Sequence, residues 1–214
     1  MDKSVSANRI EIDFEDEASL RDIQSRLDEV EYHIFHYTGH GAYSEQEDKA
    51  YLILEGDRGK ARQVDNETVV TLLSGYSSLR LVVLSGSQTA KTSGRRTMSD
   101  LSTPLLVSGI PAVVAMQYSV SDKSAMDLAT KFYTEISNGT AIGHALTSAR
   151  KCLLLNEVAG NVDFATPVLF SNKHDCLITQ KMHTQPETGA FTLKKPPDLK
   201  HNTVRSKASA LERV

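Results

Sequence analysis

Apolar residues recur in two rhythms along this chain. Residues 9–14 (RIEIDF) alternate polar and apolar, as a half-buried strand does. Residues 18–30 (ASLRDIQSRLDEV) instead set Leu20, Ile23, Leu27 and Val30 at helical spacing. Residues 32–38 predict a second strand, delivering Gly39-His40-Gly41, where the glycines allow a tight turn and a close backbone approach. A hairpin follows, with strands at 51–55 (YLILE) and 60–64 joined through Gly56-Asp57-Arg58-Gly59. Asp65 can cap a helix running through about Ser74, with Gly75 as its stop. Residues 79–84 are almost continuously apolar, as a central parallel strand buried on both faces should be. The pattern then predicts a helix from Ser99 or Asp100 to Ser108, stopped by Gly109, and a strand over 112–118 (AVVAMQY). Met126, Leu128, Ala129, Phe132, Tyr133 and Ile136 mark a helix ending at Asn138-Gly139, and residues 141–155 form another. Residues 165–170 (ATPVLF) close the series as a strand that Pro167 assigns to a sheet edge. Strand–helix–strand units with one hairpin insert predict a three-layer α/β/α domain with a mostly parallel sheet.

After about Gln180 this rhythm stops. Residues 181–214 hold seven Lys/Arg against three Asp/Glu, with two consecutive prolines. The chain therefore divides into a domain at 1–179 and a basic polar linker or tail at 180–214. A length of 214 residues and 40% apolar content suffice for one core. A net charge of −3 and a pI near 6.2 give no electrostatic reason to expect nucleic acid or an anionic membrane. No apolar run approaches the ~18 residues of a spanning helix. MDKSVSANRI does not read as a signal peptide. With two cysteines, Cys152 and Cys176, reduced thiols in a cytoplasmic protein are the expectation.

Chemistry collects at the carboxyl ends of neighbouring strands in an open α/β sheet. Two apolar runs here end in small polar residues, HYTGHG (36–41) and LVVLSGSQTA (81–90), which sets His40 beside Ser87. GDRGK has the wrong spacing for a phosphate loop, because Leu54 stands where its first glycine would be. His36 lies four residues before His40, so a continuing strand would put both on one face. A metal pair would still lack a third ligand, and His36 reads as a buried support. No metal or other cofactor is implied.

His36-Tyr37-Thr38-Gly39-His40-Gly41 resembles the HFSGHG motif of CHAT domains, which are caspase-like cysteine peptidases grouped with caspases, separases and gingipains. The blocks YLILEGDRG, LRLVVLSGSQTA, SGIPAVVAMQYSVSD, FYTEISNGTAIGHALTSARK and FATPVLF agree with the family in order and spacing over about residues 32–170. The resemblance implies a His–Cys dyad with His40 as general base. The nucleophilic Cys would stand within residues 85–90, and backbone N–H groups of Gly41 and residue 87 would hold the oxyanion. It also implies that Ser85, Gln117 and Asp122 contact substrate. Asp122 could line a pocket for a basic residue, although Ser121-Asp122 reads first as an ordinary helix N-cap. Arg95 and Arg96 fall in the loop after the nucleophile position.

The family's usual S-A-C-Q-T or S-G-C-Q-T is S-G-S-Q-T here, so Ser87 occupies the nucleophile position. Without a GxSxG elbow or an acidic partner for His40, such a hydroxyl should be nearly inert. Three readings stand: an inactivating Cys→Ser replacement made to trap a complex, a natural pseudoprotease serving as a peptide-binding scaffold, and a working serine hydrolase. Intact neighbouring blocks favour the first. The implied partners are a protein or peptide substrate and a regulatory module, such as tetratricopeptide repeats or an activating complex of the kind used in bacterial defence. Caspase-like sheets also begin with a strand ahead of the equivalent of 9–14. The resemblance thus implies either a strand supplied from elsewhere or an exposed edge.

Overall fold

The computed structural model describes residues 10–16, 18–44, 46–47, 49–88, 98–156, 162–172, 176–178 and 210–213. In chain order the elements are β1 (Glu11–Phe14), α1 (Leu20–Glu29), β2 (Ile34–Ser44), β3 (Lys49–Glu55), β4 (Ala61–Asp65), α2 (Asn66–Leu73) and β5 (Leu81–Gln88). They continue with α3 (Ser102–Val107), β6 (Ala112–Met116), α4 (Asp122–Ser137), α5 (Ile142–Asn156), β7 (Pro167–Ser171) and β8 (Ala210–Arg213). One sheet runs β1-β8-β2-β5-β6-β7, and β3 and β4 extend from β2.

Burial on both faces accounts for the unbroken apolar runs. Along β5, Val82 and Leu84 enter one core with Phe35, Tyr37 and Val113, under Ile23 and Leu27 of α1, Val69 and Leu73 of α2, and Leu105 of α3. Leu81 and Val83 enter the other core with Ile34, Val114 and Met116, under Leu128, Phe132 and Ile136 of α4 and Ala145, Leu146 and Ala149 of α5. Successive strand residues point to opposite faces, so a strand between two helical layers needs apolar residues at every position. This is the three-layer α/β/α arrangement that the pattern predicts.

The helix boundaries have local causes. Asp65 accepts a hydrogen bond from the Thr68 backbone N–H at 2.9 Å and starts α2. Gly75, at φ 89°, follows that helix in the left-handed region open to glycine.

Three features differ from the sequence reading. First, the sheet is parallel only at its centre, where β2 pairs with β5 and β5 with β6; β7 pairs antiparallel to β6. A short 3-10 turn at Asp163–Ala165 precedes β7, which runs back along β6. Its edge position does match the one Pro167 indicates. Second, β2 does not turn at Gly39-His40-Gly41 but continues to Ser44, pairing with β3. Third, residues 210–213, read as part of an irregular tail, form β8 between β1 and β2, antiparallel to both. The strand beside β1 is therefore supplied by the tail.

Candidate functional site

The parallel pairing of β2 with β5 assembles the site. Its register matches Thr38 with Ser85, Gly39 with Gly86, His40 with Ser87 and Gly41 with Gln88. His40 and Ser87 thus occupy facing positions one strand spacing apart, about 4.8 Å between backbones. The two strands can lie this close at their polar ends because glycine faces glycine. A Cβ built on Gly86 would stand 2.3 Å from the Gly39 carbonyl oxygen and 2.2 Å from Met98 Cε. Met98 is buried and covers both strands, since a Cβ on Gly41 would lie 3.1 Å from the same methyl group.

Two tyrosines hold β2 from opposite faces. The Tyr37 hydroxyl lies 2.8 Å from the His40 carbonyl oxygen and 2.8 Å from that of Ile53. Its single proton is shared between the two carbonyls, which ties the His40 backbone to β3. Burial raises the Tyr37 pKa well above the usual phenol value, keeping the hydroxyl a donor. On the other face, Tyr133 of α4 meets His36, with Tyr133 Oη 3.0 Å from His36 Nδ1. Thr38 Oγ1 lies 3.2 Å from His36 Nε2, so both ring nitrogens have a polar neighbour. Burial pushes the His36 pKa down to about 4. The ring is therefore neutral at physiological pH and braces β2 against α4. His36 and His40 fall on the same face of the strand, as their four-residue separation requires.

These contacts make two predictions. Tyr37→Phe leaves two carbonyls without their shared donor and should lower stability by about 1–2 kcal/mol, measured by chemical denaturation. His36 binds a proton near pH 6.5 when unfolded but only near pH 4 when folded. Its contribution is complete above about pH 6.5 and is lost as pH falls toward 4, because the unfolded chain then takes up the proton first. The loss should approach ~3 kcal/mol. His36→Gln should flatten this part of the stability curve. The pKa of His33 is also lowered, mainly by burial and then by Arg80, but that contribution is common to both proteins and cancels in their difference. An unchanged pH slope in the variant would refute the assignment.

The remaining candidate residues are distributed around this pair. Ser85 is buried two residues before Ser87, and Gly41 is buried, in register with Leu52 as well as Gln88. Gln117 is half-buried just beyond β6, and its N–H donates to the Thr166 carbonyl at 2.9 Å. Asp122 is exposed in the first turn of α4. The cap itself is Ser121, whose Oγ accepts from the Ser124 N–H at 3.2 Å and lies 3.3 Å from Asp163 Oδ2. Neither cysteine joins the pair. Cys152 is half-buried in α5. Cys176 sits 3.8 Å from the Pro111 carbonyl, where β6 begins, at the opposite end of the sheet from His40. Residues 89–97, with Arg95 and Arg96, lie outside the described residues. Among the described residues no three His, Cys, Asp or Glu side chains gather as a metal site, and no helix is long and apolar enough to cross a membrane.

Sequence reasoning passed over Tyr37, Tyr133 and Met98 as supports of the site. Tyr133 appeared only as one member of an apolar helical stripe, and a buried methionine carries no signal of the two glycines beneath it.

No curated protein matches the chain. The sequence model of the CHAT domain matches residues 2–184, most of the chain and every element from β1 to β7. Together with the α/β/α fold, that match makes this chain a member of the CHAT-domain family, a family of caspase-like peptidases.

Proposed function

We propose that this chain is the protease domain of a caspase-like cysteine endopeptidase, with its nucleophile position occupied by Ser87. The observation that carries the reading is the β2–β5 register matching His40 with Ser87 toward the carboxyl ends of the two parallel-paired segments. In this reading His40 takes the proton from the attacking group and later returns it to the leaving amine. The oxyanion of the tetrahedral intermediate needs backbone N–H donors at the same strand ends, where Gly41 and residue 87 lie. A thiol at position 87 would have a pKa that a neighbouring imidazole can depress below its ordinary value near 8.5. A serine hydroxyl titrates far higher, so the present chain binds substrate without turning it over at an appreciable rate.

A substrate strand would pass along the ends of β5 and β6, where Ser85, Gln117 and the exposed Asp122 are found. Asp122 suits a basic residue before the scissile bond. The substrate is a protein or peptide, and a regulatory module presents it. The test is a peptidyl electrophile with a basic terminal residue, applied to the Ser87→Cys protein with the modified site mapped by mass. Modification at position 87 supports the reading, and a fully folded protein unmodified there contradicts it.

The hydroxyl at position 87 also favours a second reading, a scaffold that recognises a peptide and does not cut it. In that case Ser87→Cys would acquire no enhanced thiol reactivity, while peptide binding would persist in the unaltered chain.

A further inference from the structure

β8 occupies an unusual place for a strand so distant in sequence from its neighbours. Ala210 is in register with Phe14 and His36, Leu211 with Asp13 and Phe35, and Glu212 with Ile12 and Ile34. Among the described residues β8 is the only strand that pairs with β1, and it alone joins β1 to the rest of the sheet. Without it β1 and β2 would stand two strand spacings apart, roughly 10 Å, each with one row of main-chain N–H and C=O groups turned toward the gap. That gap accepts a single strand and bonds it along both edges.

Such an acceptor recognises backbone, and backbone is the same in every copy of the chain. Residues 172–209 connect β7 to β8, and a chain of that length can reach as far as roughly 125 Å. The slot of one molecule is therefore within covalent reach of the tail of another. Whether a strand arrives from its own chain or from a second copy changes the local concentration of the donor but none of the bonds it makes.

We infer that the slot between β1 and β2 is a strand-acceptor site and that Ala210–Arg213 exchanges between copies of this chain. The exchanged strand bonds β2 as far as His36, four residues before His40, so each donor braces the histidine-bearing strand of its neighbour.

Cross-linking tests this in the full chain. Residues in register on antiparallel strands have Cα atoms about 4.5–5.5 Å apart, within reach of a disulfide. Phe14 is exposed, so Phe14→Cys and Ala210→Cys make a suitable pair, and Glu11→Cys with Arg213→Cys is a second should either variant fold poorly. The double variant, oxidised with glutathione disulfide at low concentration, should close an intrachain bridge. An equimolar mixture of the two single variants, held concentrated before oxidation, should yield a covalent heterodimer joined through positions 14 and 210. That yield should exceed at least ~10-fold the yield from Ala210→Cys mixed with Lys60→Cys, a position on the exposed hairpin turn. A double variant that bridges no better than the Lys60 control overturns the acceptor site. An intrachain bridge with no heterodimer above control overturns the exchange.

Discussion

Gly86→Ala is expected to destabilise the protein by about 3 kcal/mol or more, although it adds only one methyl group. The added Cβ would stand 2.2 Å from Met98 Cε and 2.3 Å from the Gly39 carbonyl oxygen. The first contact is with the end of a flexible side chain, which can move. The second is with backbone in the neighbouring strand, which can yield only if β2 and β5 separate where His40 faces Ser87. Met98→Ala in the same molecule should therefore recover only part of the loss. Gly41→Ala provides the contrast, because its nearest contact is Met98 Cε at 3.1 Å and its nearest backbone atom lies 3.7 Å away. That variant should lose about 1 kcal/mol or less. Denaturant midpoints of the three variants would order them, and Gly86→Ala as mild as Gly41→Ala would refute this account of the strand contact.

The glycines show how far the sequence could be read. HYTGHG signalled a close backbone approach, and Gly39 and Gly86 make one. The turn expected at Gly39-His40-Gly41 is absent because glycine permits a turn and a tight strand contact alike. Only the partner decides between them, and here the partner is Gly86 beneath Met98, forty-seven and more residues away. The central strands β5 and β6 were legible because burial on both faces leaves continuous apolar runs. The direction of β7 was not, since its apolar residues would look the same in either orientation. β8 was hidden for another reason: four residues in a basic tail lie below the length at which alternation can be recognised, and the bonds that place them are main-chain bonds. The capping and hairpin elements, by contrast, are set by neighbours within a few residues, and Asp65, Gly75 and the Gly56–Gly59 turn fall where the sequence indicates.

On the proposed reading, Ser87→Cys should create the most reactive thiol of the chain. The native cysteines set the internal reference, since Cys152 lies in α5 and Cys176 at the far end of the sheet. Position 87 is in register with His40 across one strand spacing, and in the proposed pair imidazole and thiol share a proton so that thiolate persists at neutral pH. Labelling by a peptidyl electrophile should be at least ~100-fold faster at position 87 than at either native cysteine. His40→Ala should remove at least ~10-fold of that rate at pH 7 and restore the steep rise with pH of an ordinary thiol. His36→Gln, which alters a support and leaves the facing pair in place, should reduce the rate far less.

The measurement that bears most directly on the account is therefore the labelling rate of the Ser87→Cys protein, with and without His40→Ala, from pH 5.5 to 9. The account predicts fast, nearly pH-independent labelling above about pH 6.5 that collapses to a slow, pH-dependent rate when His40 is removed. Equal rates in the two proteins, with both fully folded, would contradict the assignment of His40 and position 87 as a catalytic pair.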